Sequence, residues 1–130
     1  MSGALTGGCA CGAIRYSAKP PAKFTMRCQC RACQHDGGGA HLPLVAVLAE
    51  GFESTGAPAY FERKGDSGLT VRKAFCPQCG CPLWGMPERA SALVMLMAGS
   101  LDDASGITMG ETIYTASAQP WDCLAQLGDT

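Results

Sequence analysis

The sequence lacks any apolar run long enough to cross a membrane. Its longest run, residues 40–49, is interrupted by Pro43 and falls well short of the ~20 residues that a membrane-spanning helix needs. Residues 1–8 contain neither a basic segment nor an apolar one, so they do not resemble a secretory signal. We therefore expect a cytoplasmic protein that has no membrane partner.

Charge is also scarce, and neither sign dominates. Charged residues make up 16% of the 130, and ten Lys plus Arg against eleven Asp plus Glu give a formal net charge of −1. Proteins that bind nucleic acid through its phosphates carry a basic surface, so this balance argues against that class of partner. Because 47% of the residues are hydrophobic, the chain can bury a core, and its length predicts a single domain over residues 1–130.

Histidine is nearly absent, which limits the possible chemistry of a metal site. The two histidines are His35 and His41, and neither is followed by the x-Glu that a zinc-dependent base deaminase requires. We therefore exclude base deamination. A histidine without a motif is more often incidental than a metal ligand, so we expect neither His35 nor His41 to bind metal.

Cysteine, by contrast, is abundant. An odd count of nine and the missing export signal argue against a secreted disulfide scaffold and favour reduced thiols. The positions form clusters, which is the usual arrangement of metal ligands. The clusters are Cys9 and Cys11, then Cys28, Cys30 and Cys33, then Cys76, Cys79 and Cys81, while Cys123 stands alone.

Residues 75–80, Phe-Cys-Pro-Gln-Cys-Gly, have the spacing of a zinc knuckle. Pro77 favours a turn, and Gly80 permits a positive φ that lets backbone N–H groups point at the sulfurs. Glycines flank Cys9 and Cys11, which are the candidates for the two remaining ligands. A zinc ion held by four thiolates is structural. We predict such a site at Cys9, Cys11, Cys76 and Cys79, with four small buried hydrophobic residues as the alternative.

The segment from Cys28 to Cys33 supplies three thiolates and no evident fourth. A zinc ion with three protein ligands keeps a position for water or a substrate thiolate, as catalytic zinc does. Two alternatives remain open, namely a redox pair and a four-thiolate site completed by Cys81 or Cys123. Arg31 lies inside the segment, where it can offset the negative charge or orient an anionic ligand.

Hydrophobic periodicity predicts mostly β-strands. Alternating apolar residues over 22–28 predict a strand that carries Cys28 and Cys30 to one face. Glycine-containing turns separate the other runs, which together predict a small β-rich domain held by metal because its core is modest. The other predicted strands are residues 13–18, 44–48, 59–63, 69–74, 93–98 and 112–116.

Five motifs in this order resemble the glutathione-dependent formaldehyde-activating (GFA) enzyme family, which includes the centromere protein V type domains. They span residues 7–121. The motifs are residues 8–12 with Arg15-Tyr16, the Cys28/Cys30/Cys33 triplet, residues 75–80 with Leu83, residues 99–103, and Pro120-Trp121.

The resemblance implies a mainly β domain of several coiled antiparallel sheets stabilised by zinc, described as a β-tent. It also implies two zinc ions per chain. Cys9, Cys11, Cys76 and Cys79 would hold a structural zinc, and Cys28, Cys30 and Cys33 a labile, catalytic one. Two positions depart from the family pattern, because Thr112 stands where a histidine is common and Cys81 where a small polar residue is usual.

The resemblance further implies a carbon–sulfur lyase acting on the adduct of glutathione, or a related thiol, with formaldehyde or another small aldehyde. The carboxylates of such a thiol need cations, and we select Arg31 from the candidates, which also include Arg63, Lys64 and Arg72. By elimination, Asp102 and Asp103 are the acidic candidates for proton transfer, with a turn or helix cap as their alternative role. The alternative function is a non-catalytic, zinc-stabilised binding or chaperone module.

Overall fold

A computed structural model describes residues 3–122, which are folded mainly into β-strands. The strands are β1 (Leu5–Gly8), β2 (Arg15–Ala18), β3 (Phe24–Cys28), β4 (Leu42–Leu48), β5 (Glu53–Thr55), β6 (Ala59–Lys64), β7 (Thr70–Phe75), β8 (Pro82–Pro87), β9 (Leu93–Met97) and β10 (Glu111–Ile113). The helix α1 covers Arg31–Gly37, and short 3₁₀ helices cover Glu88–Ala90, Ala98–Ser100 and Thr115–Ser117. The mainly β fold is therefore confirmed.

The strands form two sheets rather than a barrel. A small sheet has the order β1-β2-β5, and a seven-stranded sheet has the order β10-β3-β4-β9-β8-β7-β6. All pairs are antiparallel except β10 with β3, which run parallel. Two strands distant in sequence, β3 and β10, thus lie side by side at Cys28.

Strands β4 and β9 lie near the centre of the large sheet and bury both faces, which explains their continuous apolar sequences. Their side chains alternate between two separate cores. Val45 and Leu96 belong to the core that also contains Trp84, whereas Leu44 and Met95 belong to the core that contains Cys28 and Cys33. The second cysteine cluster is therefore part of the packing on one face of the large sheet.

The predicted strands at residues 13–18, 22–28, 44–48, 59–63, 69–74 and 93–98 correspond to β2, β3, β4, β6, β7 and β9. The strand predicted at 112–116 ends early, at Ile113, because Tyr114 adopts left-handed backbone geometry with φ of 59°. The sequence did not predict β1, β5, β8 or α1. Within residues 3–122, no helix has the length and apolar character needed to span a membrane.

Candidate metal centres and adjoining cavities

The first cysteine cluster joins two turns that are distant in sequence. Cys9 and Cys11 follow β1, and Cys76 and Cys79 lie in the turn between β7 and β8. All four sulfurs lie within 4.8 Å of one another, with Cys9 and Cys76 buried and the other two exposed. The structure thus brings together the four residues that the sequence predicted as one site.

The spacing of these sulfurs fits a zinc ion. Two thiolates on a tetrahedral zinc with ~2.3 Å bonds lie about 3.8 Å apart. The separation is 3.6 Å between the Cys9 and Cys11 sulfurs and 3.7 Å between those of Cys11 and Cys76. Because so little rearrangement is needed, this cluster can hold a metal ion with four protein ligands.

Backbone N–H groups point at the sulfurs of this cluster, as the sequence predicted. The amides of Gln78 and Cys79 each lie 3.4 Å from the Cys76 sulfur, and the Ile14 amide lies 3.3 Å from the Cys9 sulfur. Gly80 supplies the expected positive φ, at 78°. Hydrogen bonds from the backbone of Cys81 and Cys11 lower the pKa of Cys79 to about 6, which favours the thiolate that binds metal.

Cys81 lies beside this first cluster and outside its set of four. Its sulfur accepts a hydrogen bond from the Ala10 amide at 3.4 Å. Cys81 is thus placed at the four-cysteine cluster rather than at Cys28–Cys33. The other candidate to complete that second site, Cys123, lies outside the described residues. No disulfide joins any of the cysteines in residues 3–122.

The second cluster is built where β3 passes into α1. Cys28 ends the strand, Cys30 is the N-cap of the helix and Cys33 lies in its first turn. The three sulfurs lie within 4.8 Å of one another, and within residues 3–122 no fourth Cys, His, Asp or Glu joins them. The predicted strand ends at Cys28, as β3 does, and Cys28 and Cys30 lie together as the sequence predicted, but the helix that follows was not predicted. The chain turns into a helix at this point, and the Cys30 sulfur accepts the Cys33 amide at 3.3 Å.

Electrostatics make the three thiols unequal. A hydrogen bond from Cys33 lowers the pKa of Cys28 to about 6, and the charge of Lys73 acts in the same direction. The hydrogen bond to Cys28 and burial raise the pKa of Cys33. Cys28 therefore carries the negative charge more readily than Cys33 does. Three soft sulfur donors so close together are a suitable ligand set for zinc.

Two buried glutamines fix the position of α1. Gln34 donates to the carbonyl oxygens of Gln29 at 2.8 Å and Ser117 at 3.0 Å, and Gln29 donates to the Asp122 carboxylate at 2.8 Å. The backbone N–H of Gln29 also donates to the Ile113 carbonyl oxygen at 3.0 Å. The segment after β10 thus holds the cysteine segment in place. Sequence reasoning missed both glutamines because neither lies in a recognisable motif.

A buried ion-pair network ties α1 to β6 and β7. The Asp36 side chain is only 4% exposed and pairs with Arg63 and with Lys73, whose Nζ lies 3.2 Å from the carboxylate. Lys73 is itself buried. The network places an ammonium group close enough to the second cluster to affect its thiols. The sequence did not identify Asp36 or Lys73 as part of the site.

Two cavities adjoin the second cluster. The larger, of about 630 Å³, is lined mainly by apolar side chains and includes Cys28 and Cys33. The smaller, of about 190 Å³, is called the polar cavity because six charged side chains line it, and it includes Cys30 and Cys33. Lys73, Arg89 and Tyr114 line both cavities. The three sulfurs thus face space that a small molecule can enter.

The candidate cations occupy different places. Arg31 lies on α1, where its guanidinium contacts the side chains of Gln34 and His35, and it lines neither cavity. Arg63 and Lys64 line the smaller, polar cavity. Arg72 stacks on Tyr60, with 3.9 Å between its guanidinium carbon and the ring centroid. The sequence offered no signal for Arg89, which lines both cavities.

The two acidic candidates, Asp102 and Asp103, and the two histidines lie outside the two cavities, and both aspartates make structural contacts. Asp102 pairs with Arg15 and accepts the Thr6 hydroxyl at 2.7 Å, and these contacts lower its pKa to about 2. Asp103 accepts the amide and the hydroxyl of Ser105, which closes a turn. His41 lies 3.9 Å from Asp122, and His35 lies on the exposed side of α1. None of these four residues lines the two cavities beside Cys28–Cys33.

The fold and the two clusters define a class: a small, mainly β protein whose cysteines can hold metal ions, with one site of four cysteines and one of three cysteines beside two cavities. Residues 4–117 match the family model described as glutathione-dependent formaldehyde-activating enzyme. The chain belongs to that family, as the five sequence motifs predicted.

One solved structure similar to this chain is the crystal structure of a Rhodobacter sphaeroides protein. It is 17% identical, with a TM-score of 0.62, and the alignment covers 83% of this chain and 99% of that one. At this identity, the similarity establishes the fold alone. The search of curated proteins found no matching sequence.

Proposed function

We propose that the protein is a zinc-dependent carbon–sulfur lyase of the GFA type, acting on the adduct of glutathione or a related thiol with formaldehyde or another small aldehyde. The observation that carries the proposal is the position of Cys28, Cys30 and Cys33, three mutually close thiols at the junction of two cavities. Membership of the family supports it. Two zinc ions per chain follow from the two clusters.

In the reaction, the thiol sulfur forms a bond to the aldehyde carbon while the thiol proton is transferred to the aldehyde oxygen. The lyase direction reverses both changes. Zinc bound by Cys28, Cys30 and Cys33 would supply a low pKa for the substrate thiol and stabilisation of charge on oxygen. Lys73 and Arg89 add positive charge beside the sulfurs, where an anionic thiol substrate would enter.

The four-cysteine cluster has a different role in this proposal. It lies away from the two cavities and joins the loop after β1 to the turn before β8. Metal affinity at such a site becomes folding free energy, since the unfolded chain has no preformed site. Cys9, Cys11, Cys76 and Cys79 would therefore hold a structural zinc that glutathione does not remove.

The first test is the zinc content per chain, measured by elemental analysis before and after dialysis against reduced glutathione. We expect a content near two that falls toward one, with the loss absent in Cys30→Ser. Cys81→Ser is the matched control, because Cys81 belongs to neither ligand set, and it should behave as the wild type does. A content that glutathione never changes would favour the non-catalytic binding module.

The second test measures catalysis directly. Exchange NMR with ¹³C-formaldehyde and glutathione reports the rate at which the hydroxymethyl adduct forms and breaks. We expect the wild-type protein to accelerate this exchange. Cys30→Ser should lose at least about 10- to 100-fold of the acceleration, the loss that follows when only an outer partner of a metal ligand is removed. An uncatalysed rate with zinc-loaded wild-type protein would disprove the proposed reaction.

A further inference from the structure

The two cavities beside Cys28–Cys33 differ in chemical character, and that difference bears on the substrate. The polar cavity is lined by four cations and two carboxylates. These are Arg63, Lys64, Lys73, Arg89, Asp36 and Asp66. The larger cavity has mostly apolar walls, contributed by side chains such as Phe24, Met26, Leu44 and Met95. Among the described residues its charged lining side chains are Lys73 and Arg89, and no carboxylate lines it.

The polar cavity suits the thiol part of the substrate. Glutathione carries two carboxylates and an ammonium group, and such groups need charged partners once they leave water. Asp36 already pairs with Arg63 and Lys73, while Lys64 and Arg89 form no ion pair in residues 3–122. These two cations are available to a carboxylate. Lys64 lines the polar cavity alone, whereas Arg89 lines both, so the polar cavity offers a carboxylate one more unpaired cation than the apolar cavity does.

The apolar cavity is much larger than the hydroxymethyl group that formaldehyde contributes to the adduct. A hydroxymethyl group has two heavy atoms and occupies on the order of 60 Å³, taking about 30 Å³ for each. The cavity measures about 630 Å³, within the range of sites that hold drug-sized molecules. Cys28 and Cys33 are part of its wall, so it begins at the place where the carbon–sulfur bond would form.

We propose that the aldehyde accepted at this site carries an apolar substituent of several carbons, which binds in the cavity lined by Phe24, Met26, Leu44 and Met95. The inference rests on the proposed function and specifies its substrate class. The bonds that form and break are those given above, because the thiol and the aldehyde RCHO give RS–CH(OH)R with no other reactant. The thiol's charged groups occupy the polar cavity while the alkyl or aryl group R occupies the apolar one.

Stable thioethers test this assignment without turnover. S-methyl-, S-butyl- and S-hexylglutathione imitate adducts of increasing length, and isothermal titration calorimetry with the zinc-loaded protein measures their dissociation constants. We expect affinity to rise by about fourfold for each methylene that becomes buried. The rise should stop when the chain fills the cavity.

Two variants locate the binding site of the alkyl chain. Phe24 lies in β3, lines the cavity and is 46% exposed, so Phe24→Ser does not remove a core side chain. It should reduce the preference for the hexyl over the methyl compound by at least about threefold. Leu48→Ser is the matched control, since Leu48 is an exposed apolar residue of the neighbouring strand β4 and lines neither cavity. It should leave the preference unchanged.

The outcomes separate the two proposals. Equal affinity for the methyl and hexyl compounds would overturn the assignment of the apolar cavity while leaving the proposed lyase function in place. An equal loss of preference in Phe24→Ser and Leu48→Ser would also overturn it. If none of the three thioethers binds, the assignment of the apolar cavity is overturned, while the exchange NMR measurement still decides the proposed lyase function.

Discussion

Gly7 in β1 lies against the 3₁₀ helix that ends at Ser100, and no side chain fits between them. A methyl group at position 7 would meet the Ser100 carbonyl oxygen and lie 2.5 Å from the Tyr16 hydroxyl. That hydroxyl is fixed by a 2.5 Å hydrogen bond to the Ser100 side chain. Gly7→Ala should therefore lower the free energy of unfolding by about 1–3 kcal/mol, measured by urea denaturation of the zinc-loaded protein.

Gly106 provides the control for this prediction. A methyl group there meets nothing within 4 Å, and its φ is not in the left-handed region. Gly106→Ala should change the free energy of unfolding by less than about 0.5 kcal/mol. Equal effects of the two substitutions would show that the close approach at Gly7 is not maintained in solution.

The two tryptophans should differ sharply in what they contribute to stability. Trp84 is 1% exposed and packs edge-on against Phe52 and Tyr16, with ring centroids 5.0 and 5.8 Å away, whereas Trp121 is 66% exposed. Trp84→Ala should cost about 3–5 kcal/mol of unfolding free energy because it leaves a cavity.

Trp121→Ala should cost less than about 0.5 kcal/mol in the same urea titration. Tryptophan fluorescence provides an independent readout, since the buried indole of Trp84 should emit at shorter wavelength than the exposed indole of Trp121. If Trp121→Ala is as destabilising as Trp84→Ala, the packing described around Trp84 is wrong.

At the scale of elements, α1 is held to β6 and β7 chiefly through one carboxylate. Asp36→Ala would leave the buried Lys73 without its partner and remove the contact to Arg63. Breaking a buried pair on one side typically costs about 3–5 kcal/mol, so we expect a loss of that size in urea denaturation. Asp66→Ala serves as the control, since Asp66 is exposed and lines the polar cavity as Asp36 does. It should lower the free energy of unfolding far less than Asp36→Ala.

Removing both charges separates the ion pair from the packing. Asp36→Leu combined with Lys73→Met replaces the pair by apolar side chains of similar size and should recover much of the stability that Asp36→Ala loses. A double variant as unstable as Asp36→Ala would contradict this explanation, because it would show that the charge left unpaired is not the source of the loss.

The sequence predicted the strands whose apolar residues alternate, and it predicted only those residues of the candidate site that are cysteines. Alternation identified β3 and hence the position of Cys28, but α1 has seven residues and a cysteine as its N-cap, which is not a usual helix signal. From the sequence alone, Lys73 is expected to be an outward-facing residue of β7. It is buried because it pairs with Asp36, which lies far earlier in the sequence. Long-range partners of this kind leave no local pattern.

At the scale of the whole molecule, the four-cysteine cluster should control stability. The proposed zinc joins residues 65 positions apart, Cys11 and Cys76. We expect a strong chelator to lower the urea midpoint of the wild-type protein markedly. We expect the substitution Cys79→Ser, which removes one of the four ligands, to abolish cooperative unfolding. Cys81→Ser should keep the wild-type midpoint without chelator. A chelated protein with an unchanged midpoint would show that packing alone maintains the fold.

Because β10 pairs with β3, the metal ligands are synthesised before the last residues of the candidate site. All seven proposed metal ligands have been synthesised once the ribosome passes Cys79. The Ile113 carbonyl that fixes Gln29, and Tyr114 at the junction of the two cavities, come more than thirty residues later. A nascent chain thus holds its full set of thiols before it has a finished pocket, so metal loading can precede the ability to bind a substrate.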